Sequence, residues 1–187
     1  MAQNVQHREL DNAKCIQSIA GTFLHYARAL SFTMLTALND IGTTQAKPTE
    51  HTLQESQQLM NYAATHPNVK VRCYASDMKL FVDSDAAYLV LRNAKSRIAG
   101  YFYLSFTPPA NQEPFLNAPI LVMCKTLRNI VSSAAEAETA GVFISSQLAI
   151  LIRHALECLG HHQPPTPIKS DNSTATGFVN NNIRQKR

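Results

Sequence analysis

Apolar side chains recur at three- and four-residue intervals through the first third of the chain and then give way to a short alternation and several continuous β-prone runs. That change of period predicts a helical lead followed by a sheet. From Asp11 to about Leu38 the positions Ile16, Ile19, Phe23, Leu24 and Leu30 keep helical spacing, with Gly21 as a weak spot. Thr43 to Pro48 reads as a loop, and Thr49 can cap a second helix that carries Leu53, Leu59, Met60 and Tyr62 to about Thr65. Pro67 ends it. Past Pro67, Val69, Val71 and Cys73 alternate as a strand would, and Lys79 to Leu91 holds a longer extended run. Gly100 to Phe106 is aromatic and β-prone, and Ile120 to Cys124 has the apolar character of a buried strand. Pro108, Pro109 and Pro114 enforce a loop between the last two.

A long helix follows. Ser133 with Glu136 three residues on has capping-box spacing, and Ile144, Leu148, Leu151, Ile152 and Leu156 extend the helix toward Gly160, well placed as its stop. Pro164, Pro165 and Pro167 break the chain, Ile168 to Asp171 reads as a short strand end, and Ser173 to about Asn180 as a helix. The sequence therefore divides into a helical segment over 1–67 and an α/β domain over 68–187: three strands, a long helix, a fourth strand and a short helix. The lead shows no chemistry of its own and reads as a packing or linking element.

Composition narrows the function. With 187 residues there is room for one catalytic module. Apolar residues make up 45% and charged residues 16%, with no run of 18 apolar residues and no basic start followed by an apolar stretch. The expectation is a chain without a membrane span or secretory leader, and not a disordered one. Residues 1–78 hold six basic and six acidic side chains and residues 79–187 eleven and seven, so the net +4 lies wholly in the later part, where a polyanionic partner is permitted. Cys15, Cys73, Cys124 and Cys158 are far apart, without a CxxC pair. This points to an intracellular, reduced protein, cytoplasmic or nuclear, with buried thiols. His154 and Cys158, with His161 and His162 beyond, lack the paired spacing of a zinc site.

The acidic residues are few enough to weigh singly. Asp83 and Asp85, two apart in an apolar strand, fall on one face, where like charges need a cation, a hydrogen-bond network or water. Glu136 and Glu138 stand in the first turns of the long helix, where a carboxylate also complements the helix dipole. Asp171 ends the fourth strand, where it could equally be a cap or turn residue. A strand-borne Asp, a helix-borne Glu and an Asp at a strand end together suit a divalent-metal phosphoryl-transfer site.

The segments VDSDAAYLV, SRIAGYFYLS, NIVSSAAEAETAG and IKSDNSTATGFVNNNIRQK, in that order, resemble the ribonuclease H domain of copia-type retrotransposon polyproteins. The stretches QSIAGTFLHYARALSFTMLTALNDI and LMNYAATHP resemble the segment that joins reverse transcriptase to it. The resemblance implies a ribonuclease H-like mixed sheet flanked by helices, cutting the RNA strand of an RNA–DNA hybrid with two Mg²⁺ (or Mn²⁺) ions. It matches Asp85, Glu138 and Asp171 to the family's metal-binding catalytic acids, with Asp83 and Glu136 as the weaker choices. Ala87 departs from the Ser or Asp usual in its place. The family's fourth acid, last strand and closing helix have no counterpart before Arg187, so a domain truncated at its C-terminal end is expected, and with it the alternative of an inactive nucleic-acid-binding or interaction module. No paired-aspartate polymerase motif is present, and polymerase activity is not expected. Lys95, Arg97, Lys125 and Arg128 are candidates for phosphate contact. The implied partners are the hybrid and the reverse-transcriptase portion of the same polyprotein, with no membrane involved.

Overall fold

The computed structural model describes residues 2–110 and 112–180, with side chains described from residue 11. The chain divides between Val71 and Arg72 into two compact units, a few residues beyond the boundary expected at Pro67.

The described elements of the first unit are all helices. Helix α1 (Ala2–Ala29) is followed by a 3-10 turn (Phe32–Met34), α2 (Leu35–Thr44) and α3 (Glu50–Thr65). Ile16 and Ala27 of α1, Leu35, Leu38 and Ile41 of α2 and Leu59 of α3 are its buried apolar residues, with Met34 from the turn between. The single helix expected from Asp11 to Leu38 is therefore two. The chain leaves the helix at Ser31 (φ −108°, ψ 68°), and the amides of Leu30 and Ser31 both return to the Tyr26 carbonyl, at 2.9 and 3.2 Å. Serine competes for backbone hydrogen bonds and tolerates such a break, while Met34, Leu35 and Leu38 keep the apolar spacing running across it on a new axis. Thr49 caps α3 reciprocally with Thr52: the Thr49 hydroxyl accepts from the Thr52 amide at 3.3 Å, and the Thr49 amide donates to the Thr52 hydroxyl at 3.2 Å.

The second unit carries a mixed four-stranded sheet ordered β3-β2-β1-β4, made of β1 (Lys79–Leu91), β2 (Lys95–Ser105), β3 (Pro119–Thr126) and β4 (Ile168–Lys169). Strands β1, β2 and β3 are antiparallel neighbours, and β4 runs parallel to β1 with Asp83 level with Lys169. Helix α4 (Ala134–Cys158) and the short α5 (Ser173–Val179) complete the unit. Strand alternation sends Leu80, Val82 and Ser84 of β1, and Ile98, Phe102 and Leu104 of β2, to one face. There they form a core with Met123 of β3 and Ala149 and Leu156 of α4. Phe102, Leu80, Ile98 and Val82 are almost fully buried, each contributing roughly 1.5–3 kcal/mol of apolar burial. Gly100 permits that closeness, since a Cβ there would meet Phe102 Cε2 at 2.9 Å and Ser145 Oγ of α4 at 3.1 Å.

By length and composition α4 is apolar enough to cross a membrane. In this fold it is the helix that covers the sheet. Its start is capped as expected, Ser133 Oγ accepting from the Glu136 amide at 3.2 Å, and Gly160 follows its end at φ +89°, a value that favours glycine.

The alternation at Val69, Val71 and Cys73 does not make a strand; residues 68–78 pair with no ladder. Instead the buried side-chain amide of Asn117 meets Tyr74 as a neighbouring peptide would. Asn117 Oδ1 accepts from the Tyr74 amide at 2.9 Å, and Nδ2 donates at 2.8 Å to the carbonyls of both Tyr74 and Leu104. Gln163 serves β1 in the same way, its Oε1 accepting from the Leu80 amide at 3.0 Å and its Nε2 donating to the Met78 carbonyl at 2.7 Å. The expectation of buried thiols also fails. Cys15, Cys73 and Cys158 are exposed and Cys124 half-buried, and Cys158 Sγ lies 3.8 Å from His154 Nε2.

Candidate metal centre

Three elements far apart in sequence bring their carboxylates together. Asp85 belongs to the central strand β1, Glu138 to the second turn of α4, and Asp171 to the turn between β4 and α5. One oxygen from each lies within 4.8 Å of the others. The sheet sets two of the three, because β4 pairs with β1 at Val82–Ile168 and Asp83–Lys169, and continuing that parallel register by two residues puts Asp171 level with Asp85. Gly141 sets the third. A Cβ at that position would stand 3.3 Å from Ser84 Oγ and 3.6 Å from the Asp85 carbonyl, so a glycine lets the early turns of α4 lie close over β1, one turn from Glu138.

Glu138 is 5% exposed, whereas Asp85 and Asp171 face solvent. Both of its oxygens are held: Oε1 accepts from the Ala86 amide at 3.1 Å, and Oε2 from the Ser170 hydroxyl at 3.3 Å. Burial pushes the Glu138 carboxyl above its ordinary range, and the charges of Asp85 and Asp171 push the same way; the Ala86 and Ser170 donors offset part of this. A buried carboxylate crowded by two others is a place where a cation relieves repulsion. The donor set, all carboxylate oxygen, suits Mg²⁺ or Mn²⁺, and the two exposed acids leave room for water or a phosphate oxygen.

The two alternative acids stand elsewhere. Asp83 shares the face of Asp85 but is flanked by its cross-strand partners Lys169 and Tyr101. Burial raises its carboxyl, Lys169 lowers it and Glu113 raises it again, while Lys169 Nζ is 2.9 Å from Glu113 Oε2. The neighbouring Tyr103 phenol is pushed up to about 12, by burial first and then by Asp83 and Glu113. Glu136 is occupied at the helix start, its oxygens accepting from the Ser132 amide at 2.7 Å and the Ser132 hydroxyl at 2.9 Å. These bonds hold its carboxyl below the usual range.

The four basic candidates lie toward the β2–β3 edge. Ala99 pairs with Asp85, and Arg97 comes next on that face of β2, opposite Ala87 and Thr126. Lys125 pairs with Ile98, Lys95 opens β2, and Arg128 follows β3; Lys95, Lys125 and Arg128 are exposed and Arg97 is half-buried. Sequence reasoning missed Ser170 and the Ala86 amide as the groups that hold Glu138. The only available signal was the adjacency of Ser170 to Asp171, and a backbone donor leaves no mark in a sequence. No family model, curated protein or solved structure matches the chain.

Proposed function

We propose that the sheet-bearing unit is a ribonuclease H-like module of a retroelement polyprotein, hydrolysing the RNA strand of RNA–DNA hybrids with Mg²⁺ or Mn²⁺. The observation that carries this reading is the convergence of Asp85, Glu138 and Asp171 on one point from β1, α4 and the end of β4. These are the three acids that the family resemblance singles out. The mixed sheet with a parallel fourth strand beside the first also supports it.

Asp85, Glu138 and Asp171 would hold the metal, as two ions if the site is complete. A bound Mg²⁺ supplies Lewis-acid polarisation of a phosphoryl oxygen and a lowered pKa for an attacking water. Glu138, fixed through both oxygens, acts as the rigid member, and the exposed Asp85 and Asp171 face the substrate side. Lys95, Arg97, Lys125 and Arg128 grip the phosphate backbone, a contact that weakens with salt. The reverse-transcriptase portion of the same polyprotein is the proposed physiological partner.

The test is cleavage of a labelled RNA–DNA hybrid by the purified chain with Mg²⁺ or Mn²⁺, beside the Asp85→Asn variant. RNA-strand cutting that vanishes in the variant is the expected result. A folded chain that takes up no metal and cuts nothing would overturn the assignment.

A further inference from the structure

Beside the acidic triad lies a cleft of about 520 Å³ bounded by α4, β4 and α5, which the three carboxylates do not explain. Thr139, Val142, Phe143 and Ser146 supply one wall at the i, i+3, i+4, i+7 spacing of a single helix face. That face flanks the one carrying Glu138, Gly141 and Ser145 to the sheet. Ile168, Ser170 and Thr176 form the opposite wall. Ser170 belongs to both places, since the hydroxyl lining the cleft also donates to Glu138 Oε2.

The lining selects among ligands. Among the described residues, no side chain lining the cleft carries a formal charge; the nearest charges, Glu138 and Arg153, are bonded to the backs of Ser170 and Thr166. The cleft offers an aromatic ring and hydroxyl oxygens that can accept, since Ser146, Ser170 and Thr176 donate their own protons to the Phe143 carbonyl, Glu138 Oε2 and the Asn172 carbonyl. Phe143 lines the cleft and is 60% exposed. A flat, neutral, hydrogen-bonding heterocycle fits that combination, with its face on the ring and its edge toward Ser146, Ser170 and Thr176. Phe143 follows Glu138 by five residues, a rise of about 7.5 Å along the helix axis with a turn of about 140° around it, so the ring stands on the cleft side of α4 and away from the sheet.

We propose that this cleft is a nucleobase subsite, in which Phe143 stacks an unpaired base of a strand whose phosphate lies at the acidic triad. The inference rests on the nucleic-acid reading above and adds to it a place for a base outside the duplex. It gives Phe143 a role in substrate binding and none in the chemical step.

The chain contains no tryptophan, so Phe143→Trp places a single reporter in the cleft. Adenosine 5′-monophosphate should quench that fluorescence, with or without Mn²⁺, while ribose 5-phosphate at the same concentration should not. In calorimetry with Mn²⁺ present, the wild-type chain and Phe143→Trp should bind adenosine 5′-monophosphate roughly tenfold or more tightly than ribose 5-phosphate. Phe143→Ala should remove the difference while leaving Mn²⁺ affinity and thermal stability unchanged. Equal quenching by the two ligands, or a preference that survives in Phe143→Ala, overturns the subsite. Absence of Mn²⁺ uptake by the wild type overturns the metal centre instead, and the metal-free quenching comparison still decides the cleft.

Discussion

Neutralising one acid of the triad should make the metal-free protein more stable. Each pair among Asp85, Glu138 and Asp171 lies within 4.8 Å, so Coulomb repulsion per pair is about 0.9 kcal/mol at the dielectric of water and about 3.5 kcal/mol at an effective value of 20. Asp85 and Asp171 are exposed, which places the true figure toward the lower end. Asp85→Asn removes two such pairs and keeps the side-chain volume, giving an expected gain of about 1–2 kcal/mol, or roughly 3–8 °C in the melting temperature of the sheet-bearing unit. The assay is thermal unfolding followed by circular dichroism at neutral pH, in EDTA and then with Mn²⁺. In EDTA the variant should melt higher than the wild type. With Mn²⁺ at a hundred times its dissociation constant, the wild type should gain about 2.7 kcal/mol and the variant much less, so the order reverses. A variant that melts no higher in EDTA and responds to Mn²⁺ like the wild type would refute the idea that Asp85 belongs to a crowded metal-binding cluster.

Glu138 carries a pH signature. Its folded-state carboxyl sits above the ordinary 4.5, so the stabilisation from its protonation is fully present below that value and is lost as pH rises through the raised one; in EDTA the melting curves of wild type and Glu138→Gln should diverge as pH climbs out of the acid range, the variant becoming the more stable. Parallel curves at all pH values would remove the shift. Mn²⁺ titration calorimetry should separate the two helix acids, with Glu138→Gln losing affinity by tenfold or more and Glu136→Gln, whose carboxylate serves Ser132, binding as the wild type does. Asn117→Ala leaves the buried carbonyl of Leu104 and the backbone of Tyr74 without their partner and should cost about 2 kcal/mol or more, read as a lower urea midpoint at unchanged slope.

Much of the second unit was legible because its signals are local. The extended run in Lys79–Leu91, the aromatic run after Gly100 and the capping pair Ser133 and Glu136 each report on their own neighbourhood, and the structure places β1, β2 and the start of α4 there. The failures are non-local. The apolar spacing from Ile16 to Leu38 survives a change of axis at Ser31, so periodicity alone shows one helix where there are two. Val69, Val71 and Cys73 have a strand's alternation but no strand beside them, because the partner that satisfies nearby Tyr74 is a side chain 43 residues away. The choice between Asp83 and Asp85 was open for a related reason. Residues two apart share a strand face, and only the approach of α4 through Gly141 and the register of β4 decide which of them meets Glu138.

The amide of Gln163, described above as a substitute for a neighbouring peptide, also acts as a length gauge. Its grip on Met78 and Leu80 fixes one point of the connection between α4 and β4 against the start of β1. Arg153 of α4 fixes the next stretch, donating to the Gln163 and Pro164 carbonyls and to Thr166 Oγ1. From those anchors the chain runs directly into β4 and Asp171, so the spacing from Gln163 to Asp171 is as much a part of the candidate metal centre as the acids are. An inserted or deleted residue there would carry Asp171 out of line with Asp85 while leaving all three acids in the sequence. A tag, linker or graft is better placed in the proline-bearing loop after Phe106, ahead of Asn117, where extra length displaces no carboxylate of the triad.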